Sequence, residues 1–276
     1  MMKLDTNCKN TWCPGCGDFG ILNAFKKAVL ELEKKGVKRD KIAIVSGIGC
    51  SSKIVDYLNL NSFCSLHGRP IASAQGIKLG NPELKVIVFM GDGGCYNEGI
   101  AHLIHAAKRN TDITVLVHNN RNFALTTGQF TATSPKGFKG ASAPQGSIEE
   151  PFNPLRLMMA SKASFIARGY SAKEDHLKDL IIKGVEHNGF SFIDILQPCI
   201  TFFNTYEFYN QRVYEMKNSQ LDTESKIMKK IEEWGYDDKG SKIPIGIFRK
   251  QKKPVYETEF FQKSKKHNLK KVEDLI

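Results

Sequence analysis

Gly91-Asp92-Gly93 and, 25 residues further on, Asn119-Asn120 constrain the fold of this chain more than any other feature. The run Val86-Ile87-Val88-Phe89-Met90 leads into the first motif. Such a short, continuous apolar stretch ending in glycine reads as a strand buried on both faces. Ile113-Thr114-Val115-Leu116-Val117 is a second buried strand, and it delivers the asparagines to the same edge. A carboxylate just past a strand's carboxyl end sits where open α/β sheets bind ligands. Flanking glycines let backbone N–H groups approach phosphate oxygens closely. One hard carboxylate, one amide oxygen and two phosphate oxygens suit Mg²⁺, which takes octahedral oxygen ligands and shares substrate phosphates. Gly-Asp-Gly alone would equally be a glycine-rich turn. With the spacing and both strands in place, it describes a magnesium–diphosphate clamp.

The N-terminal segment adds a second kind of donor. Trp12-Cys13-Pro14-Gly15-Cys16-Gly17-Asp18 carries two thiols at C-x-x-C spacing. Alone, such a pair could serve zinc, a cluster or a redox couple. Ile42-Ala43-Ile44-Val45 is a further buried strand that exits through Ser46-Gly47-Ile48-Gly49-Cys50-Ser51. Ser191-Phe192-Ile193-Asp194-Ile195-Leu196 is another, followed by Gln197-Pro198-Cys199. Cys50 and Cys199 therefore leave the sheet on the edge that carries Asp92 and Asn120. Four thiolates there make a Cys₄ site for zinc or for [4Fe–4S]. Zinc fingers usually use two close pairs, whereas here one pair joins two distant singles, which favours the cluster.

Together these motifs resemble the β subunit of the 2-oxoacid:ferredoxin oxidoreductases, within the thiamine diphosphate (TPP) fold family. The resemblance is carried by WCPGCGDFG (12–20), SGIGCSSK (46–53), HGRPIASAQGIKLGNP (67–82), GDGGCYNEGIAHLIHAAKRN (91–110), NNRNFALTTGQ (119–129) and QPC (197–199), in that order. It covers roughly residues 8 to 210 and none of the last 65 or so. The family often has Asp after Gly-Asp-Gly where this chain has Gly94-Cys95; Asp92 is kept, so the clamp is expected to be undisturbed.

The resemblance implies roles residue by residue. Asp92 and Asn120 become side-chain Mg²⁺ ligands, with the backbone carbonyl of Asn122 as a third. Gly93 and Gly94 hold the diphosphate; Ile48, Gly49, Cys50, Ser51, Ala124 and Leu125 wrap the cofactor. Cys13, Cys16, Cys50 and Cys199 bind a [4Fe–4S] cluster. His67 resembles a family histidine near the diphosphate, the other reading being a helix-start histidine bonded only to backbone. Lys53 matches a lysine beside the acyl or coenzyme A site, or is merely exposed. Leu125 and Thr126 fall where the family lines its substrate pocket. His102 and His105 suggest a metal pair but lack a third ligand, so they read as helix-face histidines. Cys64 and Cys95 read as packing residues, and Cys8 has no assigned role.

The implied reaction is oxidative decarboxylation of a 2-oxoacid to acyl-CoA and CO₂, with electrons leaving singly through the cluster to ferredoxin. The 2-oxoacid stays open among 2-oxoglutarate, pyruvate and branched-chain acids. The site is expected to be completed by a larger α subunit in an α₂β₂ assembly, because residues 1–200 make only one core and TPP enzymes use a second, pyrimidine-binding domain. The alternatives are a TPP decarboxylase or transketolase-like half-subunit without electron transfer, and a zinc-stabilised basic binding module. In the latter, Asp92 and Asn120 have no purpose.

Composition bounds the rest. A length of 276 residues suits one doubly wound, mostly parallel α/β sheet of the TPP-binding fold over residues 1–200, with a charged C-terminal extension over 201–276. No run of 18 apolar residues occurs and the start lacks an apolar signal region, so neither a membrane partner nor secretion is expected. Seven cysteines then point to a reducing cytoplasm and to metal use. The net charge of +11 is spread out, with 24 basic against 17 acidic residues over 1–200 and 16 against 12 over 201–276. With no nucleic-acid-binding motif, that charge suits acidic partners such as ferredoxin and coenzyme A, or reflects a generally lysine-rich proteome.

Periodicity predicts a helix from Phe19 to near Gly36, strand 42–46, a helix over 52–58, and a helix from His67-Gly68-Arg69-Pro70 to Gly80. Strand 86–90, helix 97–109 and strand 113–118 follow. Residues 121–153 form a long loop, of the kind that is usually functional, and helices 154–168 and 173–187 precede strand 191–196.

Overall fold

Strand alternation decides the layering. Ile87 and Phe89 point into one hydrophobic cluster, while Val86, Val88 and Met90 point into another. Leu116 joins the first, and Ile113, Val115 and Val117 the second. A sheet apolar on both faces must be covered on both, and each fully buried side chain of this size contributes roughly 1.5–3 kcal/mol.

The computed structural model describes residues 3–216, 221–237 and 240–266. Its strands are β1 (Ile42–Ser46), β2 (Asn61–Cys64), β3 (Lys85–Gly91), β4 (Ile113–Asn119), β5 (Phe165–Tyr170), β6 (Ser191–Leu196), β7 (Val213–Glu215) and β8 (Ile243–Lys250). They form one eight-stranded sheet in the order β2-β1-β3-β4-β6-β5-β8-β7. Every pairing is parallel except that of β8 with β5. Helices α1 (Asp18–Lys34) and α5 (Glu174–Val185) cover one face; α2 (Pro70–Gly80), α3 (Ile100–Arg109), α4 (Pro154–Ala160) and α7 (Glu224–Ile231) cover the other. Helices α6 (Tyr206–Arg212) and α8 (Tyr256–Lys266) complete the chain. The doubly wound α/β class is as the sequence predicts.

Several local predictions need correction. Helix 154–168 does not exist as one element: α4 stops at Ala160, Lys162 takes a left-handed φ of +58°, and Phe165 starts β5. Phe165 and Ile166 pack into opposite core clusters, which a helix could not arrange. Residues 51–57 form a 3₁₀ turn, and α3 starts at Ile100 after a π-helical turn over Gly93–Glu98. β2 escapes a pattern reading because all its residues are exposed on the sheet edge. After residue 200 the charged segment adds β7 and β8 to the same sheet, with Ile227 and Ile231 of α7 in the second cluster. Residues 217–220, 238–239 and 267–276 of that extension lie outside the described residues.

Strand order reverses between β1 and β3, since the chain moves outward from β1 to β2 and from β3 to β4 in opposite directions. Open α/β sheets bind ligands in the crevice outside the carboxyl ends at such a point. Here the loops after β1 and β3 carry Gly49-Cys50 and Asp92-Gly93.

Candidate active site

Those loops, with the one after β4, line a cavity of about 70 Å³. Its walls include Ile48, Gly49, Cys50, Ser51, His67, Asp92, Gly93, Gly94, Asn120, Asn122, Ala124, Leu125 and Thr126. Every residue that the sequence assigns to the diphosphate clamp and cofactor wrap is therefore brought to one place. Glycine is required at 93, because a Cβ there would stand 2.2 Å from the Phe123 ring. At Gly49, φ is +106° and nothing lies within 4 Å of the Cβ position, so the backbone is left open to a ligand.

Asp92 is 1% exposed. Its Oδ2 accepts from the Thr131 hydroxyl (2.5 Å) and lies 2.9 Å from that of Thr133. Burial pushes the carboxyl up to about 6, against the pull of those two hydroxyls. A cation beside it would favour the carboxylate again. The asparagine pair divides its work. Asn119 is fully buried and turned to the sheet, donating Nδ2 to Asp194 (3.0 Å) and accepting from Thr133 (2.9 Å). Asn120 lines the cavity. Its Oδ1 accepts the Asn122 backbone N–H (3.1 Å), and its carbonyl accepts Asn122 Nδ2 (2.8 Å). Asn122 Oδ1 is buried with no partner among the described residues. A buried carboxylate and two side-chain amide oxygens, one of them an orphaned acceptor, make a hard-oxygen donor set that fits Mg²⁺.

A second cavity, of about 270 Å³, is lined by Cys13, Cys16, Cys50 and Cys199 together with Lys53, Gln197 and Thr201. It shares Cys50, Asn120, Ala124 and Leu125 with the first. Three distant segments are stitched together to make it. Trp12 Nε1 donates to the Cys50 carbonyl (2.8 Å), and the Gly17 N–H donates to that of Pro198 (3.1 Å). Gln197 Nε2 donates to Cys16 Sγ (3.4 Å) and Thr201 Oγ1 to Cys13 Sγ (3.3 Å), the kind of bond that tunes cluster potentials. Burial, reinforced by the nearby Asp18, pushes the Cys50 thiol up to about 11 and holds Cys16 well above its ordinary range. Positive iron would be needed to make thiolates there. Among the described residues no three His, Cys, Asp or Glu side chains converge closely enough to share one ion. Four cysteines spread around a cavity fit a cubane better than zinc, because each thiolate binds a different iron.

The remaining predicted residues are placed as follows. Lys53 donates to Thr11 Oγ1 (3.0 Å) at the rim of the cysteine cavity. The His67 side chain is 64% exposed, with Nδ1 3.5 Å from Glu98 Oε2. Leu125 is 47% exposed and touches both cavities. His102 faces Arg69 (3.1 Å). Cys95 is buried in the second core cluster, while Cys8 and Cys64 are exposed.

Sequence reasoning misses Thr131 and Thr133, which lie in a loop with no periodicity. It also misses Asp18, whose fully buried carboxylate meets His118 Nδ1 at 2.6 Å. Asp194 had a legible signal: a carboxylate inside an apolar strand demands donors. They are the hydroxyls of Tyr96 (2.6 Å) and Tyr236 (2.5 Å), besides Asn119.

Comparison with known proteins places this geometry in a class. Residues 47–195 match the thiamine pyrophosphate enzyme C-terminal TPP binding domain, so the crevice belongs to a TPP-binding domain. Residues 199–265 match the family formed by the C-terminal part of the pyruvate ferredoxin oxidoreductase β chain. The chain is 41% identical to 2-oxoacid:ferredoxin oxidoreductase 1, subunit β, of Aeropyrum pernix, over 96% of this chain and 85% of that one. It is 46% identical to the 2-oxoglutarate synthase subunit KorB of Methanothermobacter thermautotrophicus, over 70% of this chain and 66% of that one. The structure superposes at a TM-score of 0.90 and 31% identity on 2-oxoglutarate:ferredoxin oxidoreductase from Magnetococcus marinus, solved with 2-oxoglutarate, coenzyme A and succinyl-CoA bound. That match covers 96% of this chain and 89% of the other. The chain belongs to the β subunits of the 2-oxoacid:ferredoxin oxidoreductases. Among the described residues no helix is long and apolar enough to cross a membrane.

Proposed function

We propose that this chain carries the cofactor-binding half of a cytoplasmic, CoA-acylating enzyme that decarboxylates a 2-oxoacid and passes its electrons to ferredoxin. The observation that carries the reading is the shared wall: Cys50, Asn120, Ala124 and Leu125 border both the clamp cavity and the cysteine cavity. A cofactor in the first would stand one side-chain layer from a cluster in the second. Bound TPP supplies the nucleophilic carbon and electron sink for decarboxylation, and a bound [4Fe–4S] cluster accepts electrons singly.

The chain's own residues bind and orient. Asp92, Asn120 and Asn122 hold Mg²⁺, and the backbone at Gly93 and Gly94 faces the diphosphate. Cys13, Cys16, Cys50 and Cys199 hold the cluster, with Gln197 and Thr201 donating to two of the sulfurs. Leu125 lines the space beside the acyl group, Lys53 meets anionic substrate at the cysteine rim, and His67 stands beside the diphosphate. Residues 1–200 hold the cofactors, and residues 201–276 are the charged C-terminal extension. Of the candidate acids, 2-oxoglutarate is favoured, because a 46% identical relative and the superposed structure are both named for it.

The site is completed by a larger α subunit in an α₂β₂ assembly. Ile48, Leu125, Ile200 and Phe202, each 39–47% exposed, rim the two cavities and form an apolar border of the kind a partner covers. The test is CoA-dependent reduction of a low-potential dye by the assembled complex across 2-oxoglutarate, pyruvate and branched-chain 2-oxoacids, with this chain alone as control. Anaerobically purified complex should contain about four irons per copy of this chain, bound by these cysteines. Stoichiometric zinc without iron, or full turnover by the isolated chain, would overturn the reading.

A further inference from the structure

Arg121 lies between Asn120 and Asn122, the two asparagines of the clamp, and its side chain leaves the site altogether. It is fully buried and its backbone sits at φ +61°, a left-handed conformation that a long side chain adopts only when its surroundings hold it there. The guanidinium donates Nε–H to the Thr133 carbonyl (2.8 Å) and a terminal N–H to the Tyr236 carbonyl (2.5 Å). It lies 5.4 Å from the Phe203 ring centroid and 5.7 Å from that of Trp234. Ser134 Oγ donates to the Arg121 carbonyl (2.6 Å), fixing the backbone from the other side. The conformation of the ligand-bearing triplet is thus set from behind, by aromatic residues more than 80 positions away in sequence.

A second tether runs from the same C-terminal residues. Tyr236 donates its hydroxyl to Asp194 Oδ2 (2.5 Å), and Asp194 Oδ1 accepts from Asn119 Nδ2 (3.0 Å). Asn119 Oδ1 accepts from Thr133 (2.9 Å), whose hydroxyl also lies 2.9 Å from Asp92 Oδ2. One tether ends on the asparagine ligands and the other on the carboxylate. Both begin at Tyr236, which stacks on Trp234 with centroids 4.2 Å apart.

We propose that Arg121 and Tyr236 are positioning residues through which the C-terminal segment sets the geometry, and hence the metal affinity, of the Asp92–Asn120–Asn122 clamp. This rests on the reading of that clamp as the Mg²⁺–diphosphate site. Partners that hold metal ligands from behind commonly tune affinity about 10–100-fold.

The test is uptake of TPP by cofactor-free assembled complex during Mg²⁺ titration, followed by equilibrium dialysis, with the melting temperature of each variant recorded alongside. Arg121→Lys keeps the charge but cannot reproduce the two-pronged, ring-stacked hold. It should raise the half-saturating Mg²⁺ about tenfold or more. Tyr236→Phe removes a single hydroxyl and should raise it by a few-fold. Should Arg121→Lys fail to fold, Tyr236→Phe carries the test. Ile227→Ala opens a cavity in the same segment without touching either tether. It should lower the melting temperature and leave the Mg²⁺ requirement unchanged. Arg121→Lys and Tyr236→Phe titrating like the parent, while Asp92→Ala loses uptake, would overturn the positioning role and leave the proposed function standing. Uptake unaffected by Asp92→Ala would overturn the clamp reading itself.

Discussion

Two asparagines at opposite edges of the sheet, Asn110 and Asn122, are almost equally buried, at 4% and 3% exposure. At the amino edge Asn110 caps α3 with a left-handed φ of +57°, and both ends of its amide are filled. Its Oδ1 accepts from Ser164 Oγ (2.6 Å) and the Phe190 N–H (2.9 Å), while Nδ2 donates to the carbonyls of Lys253 (3.4 Å) and Pro254 (3.0 Å). At the carboxyl edge Asn122 Oδ1 has no partner among the described residues, and the residue lines a cavity. A buried polar atom left unmade costs about 1–3 kcal/mol, so a fold keeps one where something else completes it. The filled amide is architecture, and the open one leaves an acceptor free at the proposed clamp.

That contrast is easiest to break at its strongest point. Asp92→Ala removes the one charged side chain assigned to the proposed clamp, and Mg²⁺-dependent TPP binding should fall below detection while the fold survives. Isothermal titration with and without Mg²⁺ measures this, and binding equal to the parent's would refute the assignment. Next in size, Cys199→Ser should lose cluster iron and dye reduction but keep TPP, since Cys199 lines only the cysteine cavity. Iron analysis paired with TPP titration separates the two effects. Loss of both together would mean that the cavities do not act separately.

At the amino edge the prediction reverses. Asn110→Ala strands the Phe190 N–H and the carbonyl of Pro254, and places a Cβ residue without a compensating amide in left-handed backbone. It should cost about 2–5 kcal/mol in urea unfolding and leave Mg²⁺ and TPP binding untouched. A change in cofactor affinity would show that the two edges are coupled.

The smallest effect sharpens the rule. Glu257, 2% exposed, has an Oε1 without a partner among the described residues at the amino edge, where the Asp112 N–H donates to Oε2 (3.1 Å). Here burial raises the carboxyl above its ordinary value. With the folded pKa above the unfolded one, its stabilising contribution is full below the unfolded pKa and is lost as pH rises through the folded value. Glu257→Gln, which cannot ionise, should therefore gain stability on the parent as pH rises above the ordinary carboxyl range of about 4. A parent–variant gap in urea midpoint that ignores pH would show that this orphan is not titrating.

Much of this molecule follows from residues close in sequence. The apolar runs of β3 and β4, each leading into residues of the proposed clamp, specify a buried parallel pair and the edge at which Asp92 and Asn120 emerge. Backbone geometry over a few residues is enough for that, as it is for the Cys13–Cys16 turn and for α1, whose apolar period runs unbroken from Ile21 to Leu32. Tertiary structure alone decided the rest. Nothing local tells Asn119 to face Asp194 and Asn120 to face the cavity; the pairing of β4 with β6 does. Nothing in a Lys- and Glu-rich tail announces β8, which becomes a strand because β5 offers it an edge. Thr131, Thr133, Trp234 and Tyr236 reach the clamp only once the chain has closed over distances that no periodicity spans. Short-range pattern sets which side chains are buried and where strands end, while the partners of a buried polar group depend on which distant segments the closed fold brings within hydrogen-bonding reach.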